Sequence, residues 1–464
     1  MTLFCVGDQD QTLYRFQGAK PELLTNDINK WLPDIETIKL EINYRSQDEI
    51  IVKSQQLIAH NYFDLGGPYP QEFMKNASGI KGQGEAVQFQ MYETAEHEAL
   101  EVANHINELI QSGYNPGDFF VGARTRAQLG YIEGALVRAK LPFINISGGS
   151  FWQSKHISDV IAYLRLASDT NNRQALERVY NIASAGHKYG WSDKCKKCKA
   201  SKALKESCRE CKGSGLSGKF EVGDYCSFRG LGKEFLIKIN YNFEDIDKVL
   251  LSKDAWRYQT NKKLYPIIGP TKAQDLQEFI WMLKYILDQA ENVGQIIRVI
   301  IDDCYEKYLK SQGVGDDGLS NAKLEDLATV EEIAAKYNSA EKFLFYVDEM
   351  VEAAEKAKRD YIVISTIHGL KGLERLIVFG IGWCEGICIK SGRDVGLLPH
   401  TFSLSPPPNF GVLPPGRMSP MEDERALGFT LISRAIERCY LSGIKEYRSY
   451  NLGPSRFIYE MELI

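Results

Sequence analysis

The sequence predicts an α/β protein: a parallel sheet covered by helices on both faces, with a mostly helical insertion. Two observations carry this. Strand-like and helical patterns alternate from Ala86 to Leu166, and three short apolar runs reappear about 190 residues later. Taken in order, Met1–Val6 reads as the end of a buried strand, followed by a Gly7-Asp8 turn and a short helix. Ala86–Tyr92 is strand-like, His97–Ile110 carries apolar residues at helical spacing, and Phe119–Ala123 is a short apolar run. Ala127–Ala139 is helical, Pro142–Ile146 strand-like and Ile157–Ala167 helical. Tyr361–Ser365, Leu376–Gly380 and Cys439–Gly443 supply the returning strands.

The interruption, 168–360, has a different texture. A Cys/Lys/Gly-rich stretch precedes long helical patterns at Ala273–Ala290, Val293–Lys310 and Ala340–Arg359. Gln312–Asn321 reads as a Gly/Asp-rich loop, and Ser405–Pro420 as a Pro-rich surface loop. The chain's 464 residues suffice for two or three domains. Its net charge of −5 excludes an obligate polyanion binder, so any nucleic-acid contact must use local basic surface. No run of about 18 apolar residues occurs and the first residues do not form a signal peptide, which predicts a cytoplasmic protein without a membrane partner.

Four motifs narrow the function. They are Val6-Gly7-Asp8-Gln9-Asp10-Gln11-Thr12-Leu13-Tyr14-Arg15-Phe16, Asn43-Tyr44-Arg45-Ser46, Thr366-Ile367-His368-Gly369-Leu370-Lys371-Gly372-Leu373-Glu374, and Glu422–Leu427 continuing to Ser433-Arg434-Ala435. A short motif alone is weak evidence; four in this order are specific. Together they resemble the UvrD/Rep/PcrA helicases, superfamily 1 motors that translocate on single-stranded DNA using ATP. The resemblance implies a RecA-like P-loop NTPase-type second lobe at 41–167 and 361–464. It also implies a remnant of the first lobe at 1–40, and a helical 2B-like insertion at 168–360.

Arginine suits a phosphoryl-transfer site because its planar fork stays charged and pairs with phosphate oxygens bidentately. By resemblance Arg45 and Arg434 face the γ-phosphate, Tyr44 stacks on adenine and Glu374 accepts a ribose hydroxyl. Gln11 senses the γ-phosphate and couples it to the DNA track. Tyr14 and Phe16 offer flat faces for unpaired bases. Thr366 and His368, with Lys371 nearby, fall on the DNA side. There are departures: Gln17, Ser154 and His156 stand where the family usually has Arg, Arg and Glu, and Phe429-Thr430 and Ser433 replace Tyr-Val and Thr.

Cys195-x-x-Cys198 and Cys208-x-x-Cys211, with nine residues between the pairs, match the spacing of a structural four-thiolate zinc knuckle. Free thiols in a loop are the alternative. The surrounding stretch, 187–219, holds ten Lys/Arg against three Asp/Glu. It is suited either to duplex phosphates or to plain solvation.

No Gly-x-x-x-x-Gly-Lys-[Ser/Thr] occurs in the chain. In the family that P-loop and an Asp-Glu pair holding Mg²⁺ lie upstream of the first motif. The expectation is the C-terminal portion of an ATP-dependent 3′-to-5′ DNA helicase of repair, replication or recombination. It is inactive alone and is completed by an N-terminal half in the same gene or a separate polypeptide. A non-catalytic DNA-binding module and part of a RecB/AddA-type helicase–nuclease are the rivals.

Overall fold

The computed structural model describes residues 4–13, 28–32, 35, 36, 38–62, 71, 74, 76–84, 87–147, 149–169, 171, 172, 174–176, 178, 179, 287, 290–305, 318–356, 360–370, 372–388, 392–404, 420–448 and 450–464. The chain divides into two compact units, one of 1–151 with 349–464 and one of 152–348.

The first unit is built on a six-stranded sheet. Its strands are Gln88–Tyr92 (β1), Phe119–Ala123 (β2), Phe143–Asn145 (β3), Ile362–Thr366 (β4), Arg375–Gly380 (β5) and Ala435–Ile444 (β6). They run in the spatial order β1-β6-β5-β2-β4-β3, every neighbouring pair parallel. The side-chain period of two explains why the central strands read as continuous apolar runs. Phe119 and Val121 enter one core with Ile362, Ile364, Ile377 and Phe379; Phe120 enters the other with Val363, Val378 and Leu441.

Helices Ala95–Gln111 (α2) and Arg126–Arg138 (α3) supply the first core. Asp48–Ala59 (α1) and Pro420–Ile432 (α4) supply the second. Two signals set the starts of α2 and α3. The Thr94 hydroxyl accepts the His97 amide, and Thr125 and Gln128 form a reciprocal capping box. Gly122 and Gly380 lie opposite each other on β2 and β5. A Cβ on either would meet a Leu431 methyl, at 2.3 Å and 2.6 Å respectively. The paired glycines thus form a notch into which α4 settles.

Several expectations need amendment. Residues 4–8 form no strand; Phe4 and Val6 are 87% and 74% exposed. The short helix after Gly7-Asp8 is one 3-10 turn, Gln9–Gln11, capped by Asp8. A four-stranded antiparallel sheet containing Cys384–Ile387, Asp394–Gly396, Glu446–Tyr447 and Tyr450–Pro454 was not anticipated, because its strands are short and lack clear alternation.

In the second unit the helix Gly318–Ala334 begins inside the segment read as a loop, since Gly318 is tolerated at a helix start. The pattern from Val293 gives an α-helix to Val299 and then a π-helical turn, Ile300–Tyr305. Helix Lys155–Ser168 groups with this unit, although the sequence boundary was expected after it. His156 lies 2.8 Å from Asp326 on the Gly318–Ala334 helix, and Asp159 accepts from Tyr305 at 3.0 Å. A glutamate at 156 would face the Asp326 carboxylate; histidine removes that repulsion.

Buried Glu98 on α2 ties the sheet to its helical cover. Its Oε1 accepts from Ser442 Oγ at 2.7 Å and from the Gly382 amide at 3.0 Å. Burial pushes this carboxyl up from 4.5 to about 7, the two hydrogen bonds opposing the shift. Folding therefore favours the protonated form. Glu98 adds stability below about pH 4.5, and that contribution is lost as pH rises through 7. Glu98→Gln keeps the acceptor without the charge. Urea unfolding at pH 8 should show a gain of up to about 3 kcal/mol that fades towards pH 4. A gain independent of pH would refute the assignment.

Candidate functional site

Asn43-Tyr44-Arg45-Ser46 precedes α1 and is folded by its own side chains. Asn43 Oδ1 accepts the Arg45 and Ser46 amides at 2.8 and 3.0 Å, the self-bonding turn that asparagine favours. Ser46 Oγ donates to the Ala435 carbonyl at 2.6 Å, and the Gln47 amide donates to that of Ile436 at 3.0 Å. These bonds pin the turn to the start of β6.

Arg45 Nε pairs with Glu374, and its Nη1 donates to the Ser433 carbonyl at 3.3 Å. Arg434, 4% exposed, donates from Nε to the Thr430 carbonyl at 3.1 Å and from Nη2 to Gln11 Oε1 at 2.7 Å. Gln11 Nε2 in turn donates to Asp8 Oδ2 at 2.9 Å, so carboxylate and guanidinium together fix which way its amide points. Burial, and then the charge of Arg45, lower the Arg434 pKa to about 10, which leaves it charged at neutral pH. Tyr44 is 67% exposed beside Arg45.

Glu374 immediately precedes β5 and Arg434 immediately precedes β6. Because the sheet is parallel, this cluster marks the edge where strands begin. A second cluster lies at the opposite edge, where strands end and α/β proteins place ligands. Thr366 closes β4, and His368 follows it in the 3-10 turn Ile367–Leu370. Ser147, just past β3, accepts the Thr366 amide at 2.7 Å and lies 2.8 Å from Ser365 Oγ and 3.2 Å from Thr366 Oγ1. Arg124, just past β2, forks onto Glu424 near the start of α4 (Nη2 to Oε1, 2.8 Å). Glu424 also accepts the His400 amide and the Ser403 hydroxyl, both at 3.1 Å. Burial alone would raise the Glu424 carboxyl; the Arg124 charge and hydrogen bonds outweigh it and hold it low. His368 is driven down to about 4, chiefly by burial and then by Arg124, so it is neutral at pH 7.

Structure thus gathers Gln11, Tyr44, Arg45, Glu374 and Arg434 at one edge and Thr366 with His368 at the other. Tyr14, Phe16, Gln17, Lys371, Cys195, Cys198, Cys208 and Cys211 lie outside the described residues. Sequence reasoning missed Asn43, Ser46, Ser147, Arg124 and Glu424. Asn43 and Ser46 sat inside a quoted motif, and their turn-forming chemistry was the available signal. Nothing local marks Arg124 or Ser147, which act through partners distant in sequence.

The profile of the UvrD-like helicase C-terminal domain matches residues 38–201. Similar proteins include the putative ATP-dependent DNA helicase YjcD of Bacillus subtilis, 25% identical over 99% of this chain and 50% of its own length. The ATP-dependent DNA helicase PcrA of the same organism is 26% identical over 99% of this chain and 54% of its own. DNA helicase II of Haemophilus influenzae is 28% identical over 98% and 54%. The chain is thus similar, over nearly its whole length, to UvrD/PcrA-like superfamily 1 helicases. It spans about half the length of the curated relatives it matches.

Among the described residues, no group of three or more His, Cys, Asp and Glu side chains converges to hold a metal. The cluster at the edge where strands begin is dominated by the two guanidiniums of Arg45 and Arg434. At the other edge, Glu424→Ala would remove the buried carboxylate on which the Arg124 guanidinium forks. Such a loss costs about 3 kcal/mol. Urea unfolding of Glu424→Ala, Arg124→Ala and the double variant should show strong coupling between the two sites; additive losses would show that the fork contributes little.

Proposed function

We propose that the chain is the C-terminal portion of an ATP-dependent 3′-to-5′ DNA helicase or translocase acting on single-stranded and duplex DNA. In this reading 41–167 with 361–464 is the second motor lobe, 1–40 a remnant of the first, and 168–360 the 2B-like insertion. The observation that carries it is the convergence of Arg45, Arg434 and Gln11 at one sheet edge, with Gln11 bonded to Arg434 at 2.7 Å.

In the complete assembly Arg45 and Arg434 stabilise charge developing on the transferring phosphoryl. Tyr44 stacks on the base and Glu374 holds a ribose hydroxyl. Arg45 must leave Glu374 to do this, and both side chains are exposed enough to part. The phosphate cradle and the Asp-Glu pair for Mg²⁺ come from a first-lobe polypeptide, encoded in the same gene or separately. At the opposite edge Thr366 and a neutral His368 contact single-stranded DNA through hydrogen bonds, with Tyr14 and Phe16 supplying stacking surfaces. The names of the relatives support ATP and DNA as the substrates.

The chain alone should release no phosphate in response to DNA. Combined with a first-lobe polypeptide carrying Gly-Lys-[Ser/Thr] and Asp-Glu motifs, it should do so. Arg45→Ala or Arg434→Ala should then each reduce turnover by about 10³-fold while ATP binding weakens far less. Turnover near wild type in both variants would overturn the assignment.

Cys195, Cys198, Cys208 and Cys211 are proposed to hold one structural Zn²⁺ in a basic knuckle. Four thiolates leave no open coordination position. Metal analysis of protein purified without chelator should find about one Zn²⁺ per chain, and Cys195→Ser should release it. Metal-free wild-type protein would end the proposal.

A further inference from the structure

The three-residue turn that carries Gln11 has few supports. Phe4 and Val6 before it are exposed, and it joins no sheet. Its own bonds are local: Asp8 Oδ1 accepts the Asp10 amide at 3.0 Å, and Thr12 Oγ1 donates to the Gln9 carbonyl at 2.8 Å. Beside the bond from Arg434 to Gln11, two side chains beyond the turn, Leu13 and Tyr62, help hold it to the rest of the unit. Leu13 enters the core with Ile50, Leu57, Leu427 and Leu431. The other anchor is polar.

Tyr62, fully buried, lies just past α1. Its hydroxyl donates to Asp10 Oδ1 at 2.8 Å and accepts from Gln9 Nε2 at 2.7 Å. Asp10 and Gln9 are themselves buried, so the phenol hydroxyl bonds groups that are shielded from water. Burial and the Asp10 carboxylate raise the phenol pKa, so Tyr62 remains a donor across the working pH range.

We propose that Tyr62 is a positioning residue: by clamping Asp10 and Gln9 it holds Gln11 against Arg434. The clamp also joins two parts of the nucleotide edge, because α1 begins directly after the Arg45 turn and ends just before Tyr62. This rests on the reading of Gln11 and Arg434 as nucleotide-facing residues. It concerns a residue outside the motifs that carry that reading.

The test reads Arg434 directly and needs no ATP turnover, so its failure is distinct from failure of the helicase reading. The full chain is treated with phenylglyoxal, and modification of the Arg434 peptide is followed by mass spectrometry. Gln11→Ala should uncover Arg434. Tyr62→Phe, which removes one oxygen, should raise the modification rate roughly tenfold, as expected from losing a hydrogen bond to a carboxylate. Leu136→Ala, a variant on α3 in the other core with an equal or larger fall in Tm, should leave the rate near wild type. Wild-type protection in Tyr62→Phe would overturn the proposal. So would equal deprotection in Leu136→Ala, which would mean general loosening. Should Tyr62→Phe fail to fold, Gln9→Ala is judged by the same two criteria.

Discussion

The seating of α4 on the sheet is the constraint on which both functional clusters depend. Leu431 fits a notch that exists only because Gly122 and Gly380, on adjacent strands, both lack a Cβ. Side chains at these positions would force the helix outward, and packed interiors accommodate such shifts poorly. With its distance from the sheet fixed, α4 presents Glu424 at the edge where strands end and delivers Arg434 to the edge where they begin. Eight residues of helical rise from Glu424 to Ile432 cover on the order of 12 Å, and the turn that follows carries Arg434. A single rod therefore touches both clusters.

The two edges differ in electrostatic design. At the edge where strands begin two guanidiniums lie near Asp8, Gln11 and Glu374. The Arg45–Glu374 pair is exposed, where ion pairs contribute little to stability and exchange readily. At the opposite edge Glu424 is buried and its oxygens are taken by Arg124, His400 and Ser403. That arrangement resists exchange, because parting the fork would leave a buried carboxylate without its guanidinium. The exposed pair can part readily; the buried fork suits an anchor.

The sheet was legible in the sequence because buried parallel strands are short apolar runs and their helices keep a 3.6-residue period. Phe119–Ala123 was placed without error, and Gln88–Tyr92, Phe143–Asn145 and Ile362–Thr366 fell within the patterns that predicted them or one residue beyond. Of the strand expected at Met1–Val6, the described part, residues 4–6, forms none for a physical reason: an apolar run becomes a strand only with neighbours to pair with, and Phe4 and Val6 have none covering them among the described residues. The antiparallel sheet was invisible because segments such as Cys384–Ile387 carry too few residues to show a period. Site residues that contact one another across great sequence distance were illegible unless a motif named them. Arg434 was found through its motif, whereas Tyr62, which secures the residue bonded to Arg434, has no local mark.

Desolvation sets the protonation states that each edge can use. Arg434 loses part of its stabilisation as a cation through burial and through Arg45, yet at about 10 its pKa leaves the charge intact at neutral pH. His368 is shifted in the same sense and for the same first reason, but histidine starts at 6.5, so the shift removes its charge altogether. One physical effect thus yields a charged donor at one edge and a neutral ring at the other. Salt should weaken contacts made through charge more than those made through His368 and Thr366.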